Sequence, residues 1–166
     1  MLRHESNALR AEHQKLLARI DDLHSVAATV GPWGPREGRL ADVIAFLRNH
    51  LLPHMRAEEL AVYPAVEAAM QSPGAMATMV ADHRYIELQI DALLPAAAAL
   101  GSEPTVEQVE GVCARLYGLW AVLRMHFAKE ENVLLPILER ALTPEAQRAL
   151  FEQMNELERA REKQTA

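Results

Sequence analysis

Apolar positions recur at three- and four-residue spacing through most of the chain, and that period predicts helices rather than strands. The first helix runs from about Ser6 to Thr29, with Leu9, Leu16, Leu17, Ile20 and Leu23 on one stripe, and stops at the Gly/Pro cluster GPWGPREG, which reads as a turn. The second, from about Arg39 to Gln71, carries Val43, Phe46, Leu47, Leu51, Met55 and Leu60 and ends at QSPG. Pro53 inside it has no amide hydrogen, so a local bend beside His54 is expected. A third helix is predicted over about Ala75 to Leu100, ending in GSEP. Thr105 with Gln108 three residues later reads as a capping box for a fourth helix, which runs to about Ala141. Thr143 before Pro144 announces a shorter fifth helix through about Arg161.

Four long helices joined by short turns pack most simply as an up-down-up-down bundle, because a short loop makes sequence neighbours antiparallel. The predicted fold class is therefore all-α: a four-helix bundle over about 6–141, with a C-terminal helix at about 144–161 covering an end or a side. One domain across residues 1–166 fits the usual size of such a unit. Composition agrees, since half the residues are apolar but only 5% are aromatic, and Ala, Leu, Val and Met carry the apolar content.

Charge and cysteine usage narrow the chemistry. The formal net charge is −6 and no Lys/Arg cluster stands out, so the electrostatic footprint of a nucleic-acid or anionic-membrane binder is missing. The most apolar stretch, Leu88 to Leu100, is interrupted by Asp91 and Pro95 and is too short to span a membrane. The segment MLRHESNALRAEH has no apolar core of the signal-peptide kind, so a cytoplasmic location is expected. Cys113 is the only cysteine, which excludes an internal disulfide and every cysteine-based zinc or iron–sulfur arrangement.

The chain also repeats itself. HMRAEELAVYPAV, from His54, aligns without gaps on HFAKEENVLLPIL, from His126, sharing the histidine, both glutamates and the proline. AEHQKLLARIDDL, from Ala11, aligns likewise on ADHRYIELQIDAL, from Ala81, matching His13 to His83. The sequence therefore reads as two related helical hairpins, each with one lone His and one His-x-x-x-Glu, and pairing them makes a pseudo-twofold bundle.

Residues four apart on a helix share a face about 6 Å along the axis, so an imidazole and a carboxylate at that spacing can converge on one ion. His13 lies within the apolar stripe, and Glu58 and Glu130 face the side that also carries leucines and valines. A buried carboxylate without a partner is costly, and a shared divalent cation is the usual remedy. His13, His54, Glu58, His83, His126 and Glu130 are accordingly the candidate metal ligands, divided between two ions. Imidazole with carboxylate suits iron, manganese or zinc, and the lack of thiolate argues against structural zinc.

These residues resemble the hemerythrin-like family, also called HHE cation-binding domains, whose signature is His on helix one, His-x-x-x-Glu on helix two, His on helix three and His-x-x-x-Glu on helix four. The resemblance covers roughly Leu9 to Leu138 and includes the trailing glutamate and proline of HMRAEELAVYP and HFAKEENVLLP. It implies a carboxylate-bridged, non-haem di-iron site with Glu58 and Glu130 as bridges, two Fe ions ahead of Mn or Zn, and a diatomic or peroxide partner such as O2, NO or H2O2. Two departures separate the chain from oxygen carriers. Glu87 stands where those proteins have a second third-helix histidine, and Glu131 stands where they end with a bridging aspartate. The chain is more similar to the branch with two His-x-x-x-Glu motifs, which includes proteins implicated in iron–sulfur cluster repair.

Comparison of the two hairpins adds Glu87 as a seventh candidate ligand, because its counterpart on helix one is Leu17. One ion would then be more fully coordinated and the other would keep an open position. Glu59 and Glu131 are rotated by about 100° from the ligand glutamates and are candidates for hydrogen bonds to the ligand histidines. His50 is read as a rim residue, and His24 and His4 as solvated or capping. Tyr63, Tyr85 and Tyr117 are read as core, and Met55, Met70, Met76, Met79 and Met125 as packing. Three functions follow from these readings: a di-iron protein that binds, senses or reacts with a small oxidant, an iron-handling or donor protein in cluster repair or stress response, and a non-catalytic bundle stapled by metal. No catalytic residue is assigned from the sequence.

Overall fold

The computed structural model describes residues 6–30 and 38–165, with side chains from 9–30 and 38–160. Residues 31–37 of the predicted GPWGPREG turn, and His4, lie outside the described residues. Every regular element described is helical. α1 is Ser6–Thr29, α2 spans residues 39–70, α3 is Ala77–Ala98, α4 spans residues 106–141, and α5 is Pro144–Thr165, longer than the sequence predicts.

The start of α4 is the capping box expected from the sequence, with the Gln108 amide donating to Thr105 Oγ1 at 3.2 Å and the Thr105 amide to Gln108 Oε1 at 2.9 Å. α5 begins with Pro144 in its first turn, and the Ala146 amide donates to Thr143 Oγ1 at 3.3 Å. α2 closes on Gln71 in the left-handed region, φ 52°, where a side chain costs about 1–2 kcal/mol relative to glycine.

The prolines mark the winding of the helices. Three five-residue π-helical segments, Leu47–Leu51, Glu58–Val62 and Glu130–Leu134, lie just ahead of Pro53, Pro64 and Pro136. A proline can neither donate to the preceding turn nor tolerate a close carbonyl there, and one widened turn removes both conflicts without breaking the helix. The second and third of these segments occupy the same place in the repeat and start at Glu58 and Glu130.

The interior consists of two apolar clusters. One contains Ile20, Leu23, Val43, Leu51, Ile86, Leu93, Leu116 and Leu123. The other contains Leu9, Val62, Tyr63, Val66, Met79, Leu134 and Leu138, with Leu150, Phe151 and Met154 from α5. α1 and α3 enter at the second cluster and leave at the first, whereas α2 and α4 run the opposite way. That alternation is the up-down-up-down topology, and it obliges each helix to cross the layer between the clusters once. α5 packs along the middle of α2 and touches α1, so it covers a side of the bundle. No described helix is long and apolar enough to cross a membrane.

Candidate metal centre

His13, His54, Glu58, His83, His126 and Glu130 all lie in the crossing layer, and all six are at most 3% exposed. Each is carried inward by an apolar stripe: His83, for example, sits between Met79 and Ile86 on the buried face of α3. Among the described residues their donor atoms fall into two close groups, His13, His54 and Glu58, and His83, His126, Glu58 and Glu130. Glu58 belongs to both. Its Oε1 is 3.6 Å from His13 Nε2 and 3.2 Å from His54 Nε2, while its Oε2 is 3.5 Å from His83 Nε2. Glu130 Oε1 lies 3.3 Å from His126 Nε2.

These separations suit a cation. Donors about 2.0–2.2 Å from a common ion stand roughly 3.0–3.5 Å from one another. Three buried atoms aimed into the layer, His13 Nε2, His54 Nε2 and Glu130 Oε2, have no hydrogen-bond partner among the described residues, a state that is costly to maintain without a ligand. His83 Nε2 and His126 Nε2 approach to 2.9 Å, close enough to require a shared proton or a cation. The residues present therefore fit metal on their own chemistry.

Behind the layer, every one of the four histidines turns Nδ1 to a carboxylate. His13 meets Glu131 at 2.7 Å, His54 meets Glu158 at 2.8 Å, His83 meets Glu59 at 3.0 Å and His126 meets Asp82 at 3.2 Å. A carboxylate accepting from Nδ1–H fixes the tautomer and leaves the Nε2 lone pair facing inward. Arg10 pairs with Glu131 and Lys129 with Asp82, holding those acceptors in place. Glu59 and Glu131 thus take the hydrogen-bonding role their positions allow.

The charges acting on these groups are strong. Burial opposes the charged form of His13, but the hydrogen bond to Glu131 and the nearby Glu58 carboxylate outweigh it and raise its pKa to about 9. His54 and His126 are raised in the same sense, against burial, chiefly by Glu58 and Glu130 respectively. Glu58 is held far below the usual carboxylate range, because the surrounding imidazoles, His54 first, overcome its burial. Asp82 and Glu131 are also lowered against burial, by Lys129 and His126 and by His13 and Arg10.

Tyr63 is buried, as a core residue should be, yet its hydroxyl reaches the centre. It donates to Glu130 Oε1 at 2.9 Å and lies 2.9 Å from His83 Nε2 and 3.4 Å from His126 Nε2. Burial and then the charges of Glu58 and Glu130 push its pKa far up, so the phenol keeps its proton. The widened turn Glu58–Val62 is what brings residue 63 beneath Glu58, and its repeat counterpart is Leu135. Only the second half of the layer therefore has a phenol.

The remaining sequence candidates are placed elsewhere. Glu87 is exposed and outside both donor groups, because the buried stripe of α3 steps Met79, His83, Ile86, Ile90, Leu93 and so turns position 86 inward instead. Glu87 lines a cleft of about 660 Å³ with Arg48, Arg56, Arg84 and Glu59, and His83 forms part of its wall. His50 is exposed against Phe46, and His24 is exposed against Tyr117 and Trp120. Tyr85 and Tyr117, read as core from the sequence, are exposed. Met55, Met76 and Met79 are buried, whereas Met70 and Met125 are exposed. Sequence reasoning missed Asp82 and Glu158. Asp82 carried a signal in its place directly before His83, matching Glu12 before His13, but Glu158 lies outside both repeats and carried none.

The family model of the hemerythrin HHE cation binding domain matches residues 4–138. No curated protein and no solved structure matches the chain.

Proposed function

The chain belongs to the hemerythrin HHE cation binding domain family, and on that premise we propose that it is a non-haem di-iron protein that binds or reacts with a small oxidant of the class of O2, NO or hydrogen peroxide. The observation that carries this reading is the Glu58 carboxylate, which turns one oxygen to each half of the layer. His13, His54 and Glu58 would hold one ion, and His83, His126, Glu58 and Glu130 the other, with Glu130 Oε2 free to serve either. Imidazole and carboxylate without thiolate suit iron. Iron held there supplies one-electron chemistry and positions open to a small ligand.

The protein's own part is arrangement. Burial of the layer excludes bulk water, four outer carboxylates orient the imidazoles, and Tyr63 holds a proton at its phenol oxygen beside His83 and His126. The cleft walled by His83 gives a solute an approach to that half.

Iron analysis of protein purified from iron-supplemented cells tests this directly, with about two irons per chain expected and a loss of both expected in the His54→Ala, His126→Ala double variant. Anaerobic titration of the reduced protein with O2, NO and peroxide, followed optically, identifies the ligand. Less than about one iron per chain after reconstitution would falsify the reading. Glu87→Gln is expected to leave the iron content unchanged. One observation favours a second reading in which iron is cargo: Glu12 and Glu158 bring a partly exposed carboxylate pair to His54, an approach a cation could follow. Transfer of iron to an apo acceptor faster than to a chelator would support it.

A further inference from the structure

The two halves of the layer correspond in their outer carboxylates, with one exception. Glu131 on His13 corresponds to Glu59 on His83, and both contacts are made across the bundle from the residue after a ligand glutamate. By the same correspondence Asp82, directly before His83, faces His126 Nδ1, and Glu12, directly before His13, should face His54 Nδ1. It does not reach. Glu12 Oε1 stops 3.9 Å away, and Glu158 Oε1 occupies the hydrogen-bonding place at 2.8 Å.

The reason lies in what supports each acceptor. Asp82 is held by Lys129, whose counterpart in the first half is Ala57, a residue with no cation to draw Glu12 into position. α5 supplies the substitute. Leu150, Phe151 and Met154 anchor its inner face in the apolar cluster, and Glu158, one turn beyond Met154, lies on that same face. Glu12 is left as a neighbour of Glu158, grouped with it around His54 but outside hydrogen-bonding distance of Nδ1.

We propose that α5, which lies beyond the residues matched by the family, is a working part of the metal centre, with Glu158 as the positioning residue that sets His54 for the ion in the His13 half. The proposal rests on the two-metal reading above. It gives the C-terminal helix a task other than covering apolar surface, and it predicts that the two ions depend unequally on that helix.

Stepwise binding of ferrous iron to the full chain under anaerobic conditions, measured by equilibrium dialysis, tests it. Loss of an outer hydrogen-bond partner typically weakens a metal site by about 10–100-fold. Glu158→Ala is expected to weaken one of the two ions by about tenfold or more, and Glu12→Ala by less than about threefold, while the double variant does worse than either because Glu12 can no longer close its gap. Glu158→Gln, which keeps the shape and a neutral acceptor, should recover part of the loss and also serves if the alanine variant does not fold. Thermal unfolding of the metal-free proteins separates positioning from packing, since a merely structural role moves that temperature and weakens both ions alike. Parent affinity at both ions in Glu158→Ala, equal weakening of both, or Glu12→Ala matching it, overturns the proposal and leaves the two-metal reading intact. A parent chain that binds no iron overturns both, and a third ion lost on replacing Glu158 would make it a ligand instead.

Discussion

Each histidine of the centre turns Nδ1 to a carboxylate and Nε2 to the buried layer, and the charges around it set how the metal-free protein responds to pH. With its pKa raised from about 6.5 to about 9, His13 binds its proton more tightly folded than unfolded. The stabilisation this provides is fully present below pH 6.5 and is lost as pH rises through 9. Metal must displace that proton, so iron affinity runs in the opposite direction and rises over the same interval. Urea unfolding of the metal-free protein at pH 6, 7.5 and 9 should therefore show falling stability while iron binding tightens, and a metal-free protein that gained stability toward pH 9 would contradict the charge arrangement. Tyr63 makes a second prediction at this scale. Tyr63→Phe keeps the ring and removes the proton, so iron content should stay near two per chain while reaction of the reduced protein with peroxide slows by about a hundredfold or more, the usual worth of a positioned proton donor. An unchanged rate in stopped-flow would show that the phenol only packs.

The helices themselves obey local rules of residue order, and the capping box is the plainest. Thr105→Ala should cost about 0.5–2 kcal/mol of stability without altering iron content, as thermal unfolding and metal analysis can check. The apolar stripes, the Thr143–Pro144 start and the paired His-x-x-x-Glu turns are legible in the sequence for the same reason: each is a local pattern with a fixed period. The exceptions arise where periodicity changes or where contacts are remote. A π turn adds a residue to the winding, so Tyr63 arrives under Glu58 at a spacing that an ordinary helix would give to Val62. Glu87 is singled out by comparison of the hairpins, because its counterpart is Leu17, yet the stripe of α3 steps by three after His83 and takes Ile86 inward instead. Glu158 is legible only from tertiary packing, because no repeat partner and no local motif announces it.

Across the whole molecule, the polar layer divides the interior into two apolar clusters that share no covalent staple. Without metal, the contacts between the clusters pass through charged imidazoles and carboxylates, whose net contribution to stability is small once their desolvation is counted. The two ends of the bundle should then open as separate units in hydrogen exchange, the end around Val66, Leu138 and Phe151 on a different timescale from the end around Leu23 and Leu119. Ions held by Glu58 from both sides would fuse those units, and amides at the two ends of the iron-loaded protein would exchange at a common, slower rate. Iron supply would by that route control how long the chain resists a protease, and the metal would act as the seam between two half-proteins as well as the seat of their chemistry.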